Sequence, residues 1–169
     1  MARIVRYHEA DYTPSEVEAI TGVSGDLQRD WRRRGFLEAK SDTKRSRFRA
    51  SDLGYMMALK AFSDAGVSVA AAKDAASIAV LPIVARLAPR PTSVPPMTSF
   101  DPSSPRFVII AKGEAMRAGS ADALRHLFDS TDWADHLGNP VVVVFDCEKA
   151  SRIILSRVPR PPFVLEVDE

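Results

Sequence analysis

TPSEVEAITGVSGDLQRDWRRRGFL, residues 13–37, decides how the first half of the chain folds. Thr13 followed by Pro14 supplies an N-cap hydroxyl and a first-turn proline whose missing N–H is not needed there. Val17 and Ile20 make the apolar side of the short helix that starts here, and Thr21-Gly22 ends it. Ser24 then caps a second helix. Leu27, Trp31 and, past the turn, Phe36 and Leu37 form its apolar side, while Gln28, Arg29, Arg32, Arg33 and Arg34 stay polar and mostly cationic. A helix presenting arginines suits a phosphate-lined groove.

Beyond this stretch the pattern to Lys73 predicts a basic hairpin, Lys40 to Arg49, and two more helices. Helix, turn, helix, hairpin, helix, helix is the order of a winged helix-turn-helix DNA-binding domain. The net charge of +1 says little as a total. Its distribution says more: Arg29, Arg32, Arg33, Arg34, Lys40, Lys44, Arg45, Arg47 and Arg49 face only Asp30, Glu38 and Asp42 over the same span, a local excess of six positive charges. Clustering on one helix and the following hairpin is the electrostatic footprint of a DNA-binding face, where a merely solvated surface would scatter its charges.

The run GVSGDLQRDWRRRGFL, Gly22 to Leu37, resembles the first two helices of the MerR family of bacterial regulators. Gly22, Val23, Ser24, Arg29, Trp31 and Gly35 fit that family's pattern, and Phe36 replaces its usual leucine. RFRASDL resembles the segment after the family's hairpin through Arg47, Phe48, Asp52 and Leu53. FSDAGVSVAAAK resembles the junction between its third and fourth helices through Gly66, Val67, Ser68 and Val69. Several motifs in the right order are more specific than any one. There is one departure: Gln28 stands where the family usually buries leucine or isoleucine, with Leu27 one position earlier, so the core contact of helix two is expected to be made differently. Gln28 would read adenine only if this departure turns it outward. The resemblance implies a transcription regulator in which Arg29 meets a base edge or a backbone phosphate.

The resemblance covers a little under half of the chain. Typical family members continue into one long helix that pairs with its twin, whereas here Pro82 and Pro89 are read as interruptions. Six of the twelve prolines fall between Pro89 and Pro105, amid serine and threonine, which predicts an extended linker. The length allows a core of about 75 residues and another of about 65, each small but able to fold. A fragment ending near Arg90 is therefore expected to fold and to bind DNA more weakly than the whole chain. The leader MARIVRYHEADY is longer than a helix-turn-helix needs. Arg3 to Tyr7 could form a short strand against the wing or a basic arm, a disordered terminus being the more ordinary reading.

After the linker, RFVIIA (Arg106 to Ala111) and PVVVVF (Pro140 to Phe145) read as strands buried on both faces. Ser120 to Leu137 carries a helical pattern capped at Gly138-Asn139, so strand, helix, strand implies a small α/β arrangement. Asp146 is expected to cap a helix over Cys147 to Val158, and Phe163 to Val167 to add an edge strand. Asp122 with His126 and Asp132 with His136 have helical spacing for metal ligation, but helix capping and ion pairing explain the same spacing and no third ligand follows. The single cysteine, Cys147, excludes an internal disulfide, fits a reducing cytosol and reads as a packed, inert thiol. KGEAMRAGSA lacks the spacing of a phosphate-binding loop. No segment has the apolar length of a membrane span or of a signal peptide.

The fold expected is thus α+β: a winged helix-turn-helix over residues 1–88, a proline-rich linker over 89–105, and a small α/β region over 106–169 for oligomerisation or partner binding. With the resemblance, the function expected is that of a bacterial, cytoplasmic, nucleoid-associated regulator of transcription that binds specific double-stranded DNA. Ser24, Gly25, Asp26, Gln28, Arg29, Arg32 and Arg33 are its candidate contacts from helix two, and Lys40, Lys44, Arg45, Arg47 and Arg49 those from the wing. Its expected partners are duplex DNA, a second copy or a cooperative array of the chain, and RNA polymerase, with no membrane. No catalytic, cofactor-binding or metal-binding residue is assigned. An excisionase-like or phage architectural factor is the first alternative, and an adaptor docking on the transcription machinery the second.

Overall fold

The computed structural model describes residues 4–37, 47–89, 105–111, 114–129 and 142–168. In chain order its elements are β1 (Ile4–Glu9), α1 (Pro14–Thr21), α2 (Gly25–Arg33), α3 (Ala50–Asp64), α4 (Val69–Leu87), β2 (Phe107–Ala111), β3 (Glu114–Ala118), α5 (Ala121–Asp129), β4 (Val142–Asp146), α6 (Cys147–Arg157) and β5 (Phe163–Asp168). The chain is mixed helix and sheet, with a helical N-terminal region and a small strand-containing C-terminal one. Among the described residues no helix is long and apolar enough to cross a membrane.

α1 begins at a full capping box. The Thr13 hydroxyl accepts from the Glu16 amide while the Glu16 carboxylate accepts from the Thr13 amide at 2.7 Å. It ends at Gly22, whose φ of +74° is the left-handed conformation that a side chain would strain. α3 and α4 pack along each other through a stripe of small residues on α4: Ala72, Ala75, Ala76 and Ala79, all fully buried, continuing to Ile83. At Gly54 of α3 a Cβ would stand 3.2 Å from the Ile83 side chain, so the absence of one lets the two helices approach. Pro82 lies inside α4 and does not interrupt it. An internal proline costs a helix about 3 kcal/mol. Burial of the alanine stripe and Ile83 offsets that cost, and the helix ends only at Leu87.

The stretch beyond the proline-rich segment folds against the first. β2, β3 and β4 form an antiparallel sheet in the order β3-β2-β4. Val108 and Ile110 on one face of β2 join the core of the helical region, and Phe145 of β4 meets Phe62 of α3 with ring centroids 5.3 Å apart. α6 packs on α4, α3 and α1, burying Cys147, Ala150 and Ile154 in that same core. The opposite face of the sheet holds a second, smaller cluster of Phe107, Ile109, Ala111 and Ala118, against which Leu124 of α5 packs. One apolar core therefore runs through both stretches, and a second belongs to the C-terminal one alone.

Some expectations change in detail. β2 is buried on both faces as read from its sequence, but β4 lies at the sheet margin and is only partly buried, with Val144 40% exposed. β3 was missed, since EAMRA has no β-branched residue to mark a strand. The leader forms β1, which pairs with β5: Ile4 opposes Asp168 and Glu9 opposes Phe163 in an antiparallel ribbon. Of the expected helix over Ser120 to Leu137, α5 accounts for the first part; the remainder, including Asp132 and His136, lies outside the described residues. Asp122 pairs with Arg125 at 3.2 Å.

Asp146 caps α6 by accepting from the Glu148 and Lys149 amides and also binds Arg106 at 2.7 Å. Burial alone would raise its carboxyl, but the Arg106 hydrogen bond and the two amides outweigh it and hold the carboxyl below its usual range. The neighbouring Cys147 is fully buried, and that burial pushes its thiol up to about 12. The native protein is therefore expected to resist iodoacetamide at pH 8 and to react once unfolded in urea, because the thiolate is the nucleophile. Rapid labelling of the native chain, followed by mass spectrometry, would contradict this packing.

Candidate nucleic-acid interface

The Ser24 hydroxyl accepts from the Leu27 amide at 3.3 Å and starts α2. The Gly25 amide is donated to the Glu18 carboxylate of α1 at 3.1 Å. Both N-terminal candidates, Ser24 and Gly25, thus have these polar groups committed to joining and capping the two helices.

Gln28 is 1% exposed and turns inward. Its Nε2 donates to the Pro14 carbonyl at 3.0 Å and the Val23 carbonyl at 2.9 Å, fastening α2 to the start of α1 and to the turn. This is the different core contact expected from the departure at position 28, and it removes the condition under which Gln28 would read a base. Trp31 is buried beside it along the same helix face.

The opposite face of α2 carries the charge. Arg29 is paired with Asp26, one turn before it. Arg33 reaches Asp30 at 2.6 Å, and Arg34 reaches the same carboxylate through Nε at 2.8 Å. The Arg33 hydrogen bond, seconded by the charge of Arg34, holds the Asp30 carboxyl below its usual range. Arg32 lies over the Phe48 ring, its guanidinium carbon 4.9 Å from the centroid. Phe48 is buried and bridged to Tyr12 by two backbone hydrogen bonds of 2.8 and 2.9 Å, so the segment leading into α3 is fixed to the one leading into α1. Arg47 and Arg49 flank it and are exposed, with Arg49 near Glu9 and Asp11 at 3.9 and 4.0 Å. Lys40, Lys44 and Arg45 lie outside the described residues.

Two residues that sequence reasoning missed position this site from the far end of the chain. The Arg160 guanidinium binds both carboxylate oxygens of Glu16 at 2.7 and 3.1 Å, donates to the Asp11 carbonyl and lies over the Tyr12 ring. Tyr12 answers by donating its hydroxyl to the Arg160 carbonyl at 3.1 Å. Arg157 donates to the Ile20 carbonyl at 3.0 Å, capping the last turn of α1. The Arg160 hydrogen bonds, with those from Thr13, lower the Glu16 carboxyl to about 2. No local signal could have shown these contacts, because each joins residues more than 130 positions apart.

Two short helices joined at Gly22-Val23-Ser24, the second with a buried side and an arginine-bearing side, define a helix-turn-helix protein. Residues 12–77 match the family described as "MerR HTH family regulatory protein", so the N-terminal region is of the MerR helix-turn-helix type. That family is one of DNA-binding regulators, and the match spans less than half of the chain. No curated protein matches the chain.

Proposed function

We propose that the chain is a sequence-specific double-stranded DNA-binding regulator of transcription. The observation that carries this reading is the arginine-bearing face of α2, opposite buried Gln28 and Trp31, with Arg32 lying over Phe48 between exposed Arg47 and Arg49. α2 enters the major groove, where Arg29 is the best placed to meet a base edge and Arg33 and Arg34 lie toward the phosphates. Arg47, Arg49 and the hairpin residues Lys40, Lys44 and Arg45 neutralise phosphates and set the register. One small helix-turn-helix covers too little DNA for tight, selective binding, so the chain acts as a homodimer or cooperative array through its C-terminal region. It works in the cytoplasm on the nucleoid, where RNA polymerase is a further partner.

Duplex-binding titrations of the full chain at several salt concentrations test this. Arg47→Ala is expected to weaken binding about equally on every sequence and to lower the salt slope by roughly one unit. Arg29→Ala is expected to cost about 1 to 3 kcal/mol mainly on a duplex selected by the protein from a random pool. Absence of salt-dependent duplex binding by the parent protein would overturn the proposal.

A further inference from the structure

α2 carries its own counterions. Asp26 and Asp30 hold Arg29, Arg33 and Arg34, so three of the four arginines in the run from residue 29 to 34 point their charge at a carboxylate of the same helix. Helix stability accounts for only part of this arrangement: Asp26 sits in the first turn, where a carboxylate meets the positive end of the helix dipole, but neither its pairing with Arg29 nor the place of Asp30 follows from that. Exposed ion pairs add little, aspartate is among the weaker helix formers, and Asp30 lies in the last turn, where a carboxylate meets the negative end of the helix dipole. The Asp26 and Arg29 side chains, 88% and 72% exposed, are not packed against anything that needs them paired.

We propose that Asp26 and Asp30 are specificity-determining residues: they restrain the arginines from binding the phosphates of arbitrary DNA and release them only where base edges compensate. This rests on the DNA-binding reading above. An arginine already neutralised by an aspartate gains less by meeting a phosphate, and breaking the pair leaves a carboxylate facing a polyanion. Nothing in the phosphate backbone donates to that carboxylate. A base edge does: the cytosine amino group is a donor for Asp26, while guanine O6 and N7 accept from Arg29. The same two side chains thus penalise random duplex and reward a particular one.

The test uses the full chain with Asp26→Asn, Asp30→Asn and the double variant, on random duplex and on a duplex selected by the parent protein. The double variant is expected to bind random duplex about three- to tenfold more tightly, with a salt slope steeper by about one to two units, as arginines are freed for phosphate. Affinity for the selected duplex should rise less or fall, so discrimination shrinks. Asp30→Glu, which keeps the charge, should behave as the parent. Circular dichroism checks that each variant is folded. Unchanged or weaker random-duplex binding by folded variants, alongside a weakened Arg47→Ala, would sink the counterion role while leaving DNA binding in place. If neither the parent nor the variants bound duplex at all, both readings would fall together.

Discussion

A chain ended after Ala88 is expected to lose cooperative folding and, with it, measurable duplex binding. This is a larger effect than the sequence led one to expect, because the helical region does not complete its own core. Removal of residues 89–169 takes away Ile154, Val108 and Ile110, all packed into the cluster that holds α3 and α4 together. Each such side chain is worth about 2 to 5 kcal/mol against truncation to alanine, and the whole stability of a domain is only about 5 to 15 kcal/mol. Loss of three, with the Arg157 and Arg160 contacts to α1, exceeds what a helical remnant can supply. Thermal unfolding by circular dichroism is the measurement. A fragment melting as sharply and at the same temperature as the intact chain would show that the helix-turn-helix stands alone.

Phe62→Ala is expected to destabilise the protein by about 3 to 5 kcal/mol, the usual cost of emptying a buried aromatic site. Phe62 is 1% exposed, and its ring sits tilted 44° to that of Phe145 from the edge of the C-terminal sheet. Because this contact crosses between the two stretches, the variant should still unfold in a single transition, moved to lower denaturant as a whole. A double-mutant cycle with Phe145→Ala should return a coupling of about 0.5 to 1.5 kcal/mol. Two separate transitions, of which only one shifts, would contradict a shared core.

The parts of the fold that were legible in the sequence are those fixed by neighbours. Thr13, Pro14 and Glu16 start α1 by contacts within three residues, Gly22 ends it, Ser24 starts α2 and Asp146 starts α6. The arginine face of α2 followed from its spacing alone, and the pairs Asp26 with Arg29 and Asp30 with Arg33 were open to the same reading. What could not be read depends on partners remote in sequence. Nothing near Arg3 to Tyr7 distinguishes a strand paired with β5 from a loose basic arm. Pro82 carries a local penalty that only the buried alanine stripe of α4 outweighs. Gln28 looks like a surface residue until the Pro14 and Val23 carbonyls are placed beside it. Lys40 and Lys44 are legible as charge, and their arrangement lies outside the described residues.

The pairing of β1 with β5 has a consequence for how the protein comes into being. A ribosome delivers β1 long before β5, at about 5 to 20 residues per second. β1 therefore waits on the order of ten seconds for its partner, and Glu16 waits nearly as long for Arg160. During that interval the arginine-bearing helix exists without the contacts that set its supporting helix. A product released early by a stalled ribosome would carry the arginine-bearing helix but not the Arg157 and Arg160 contacts that hold α1 beneath it, so interrupted synthesis yields chains whose basic face is unframed.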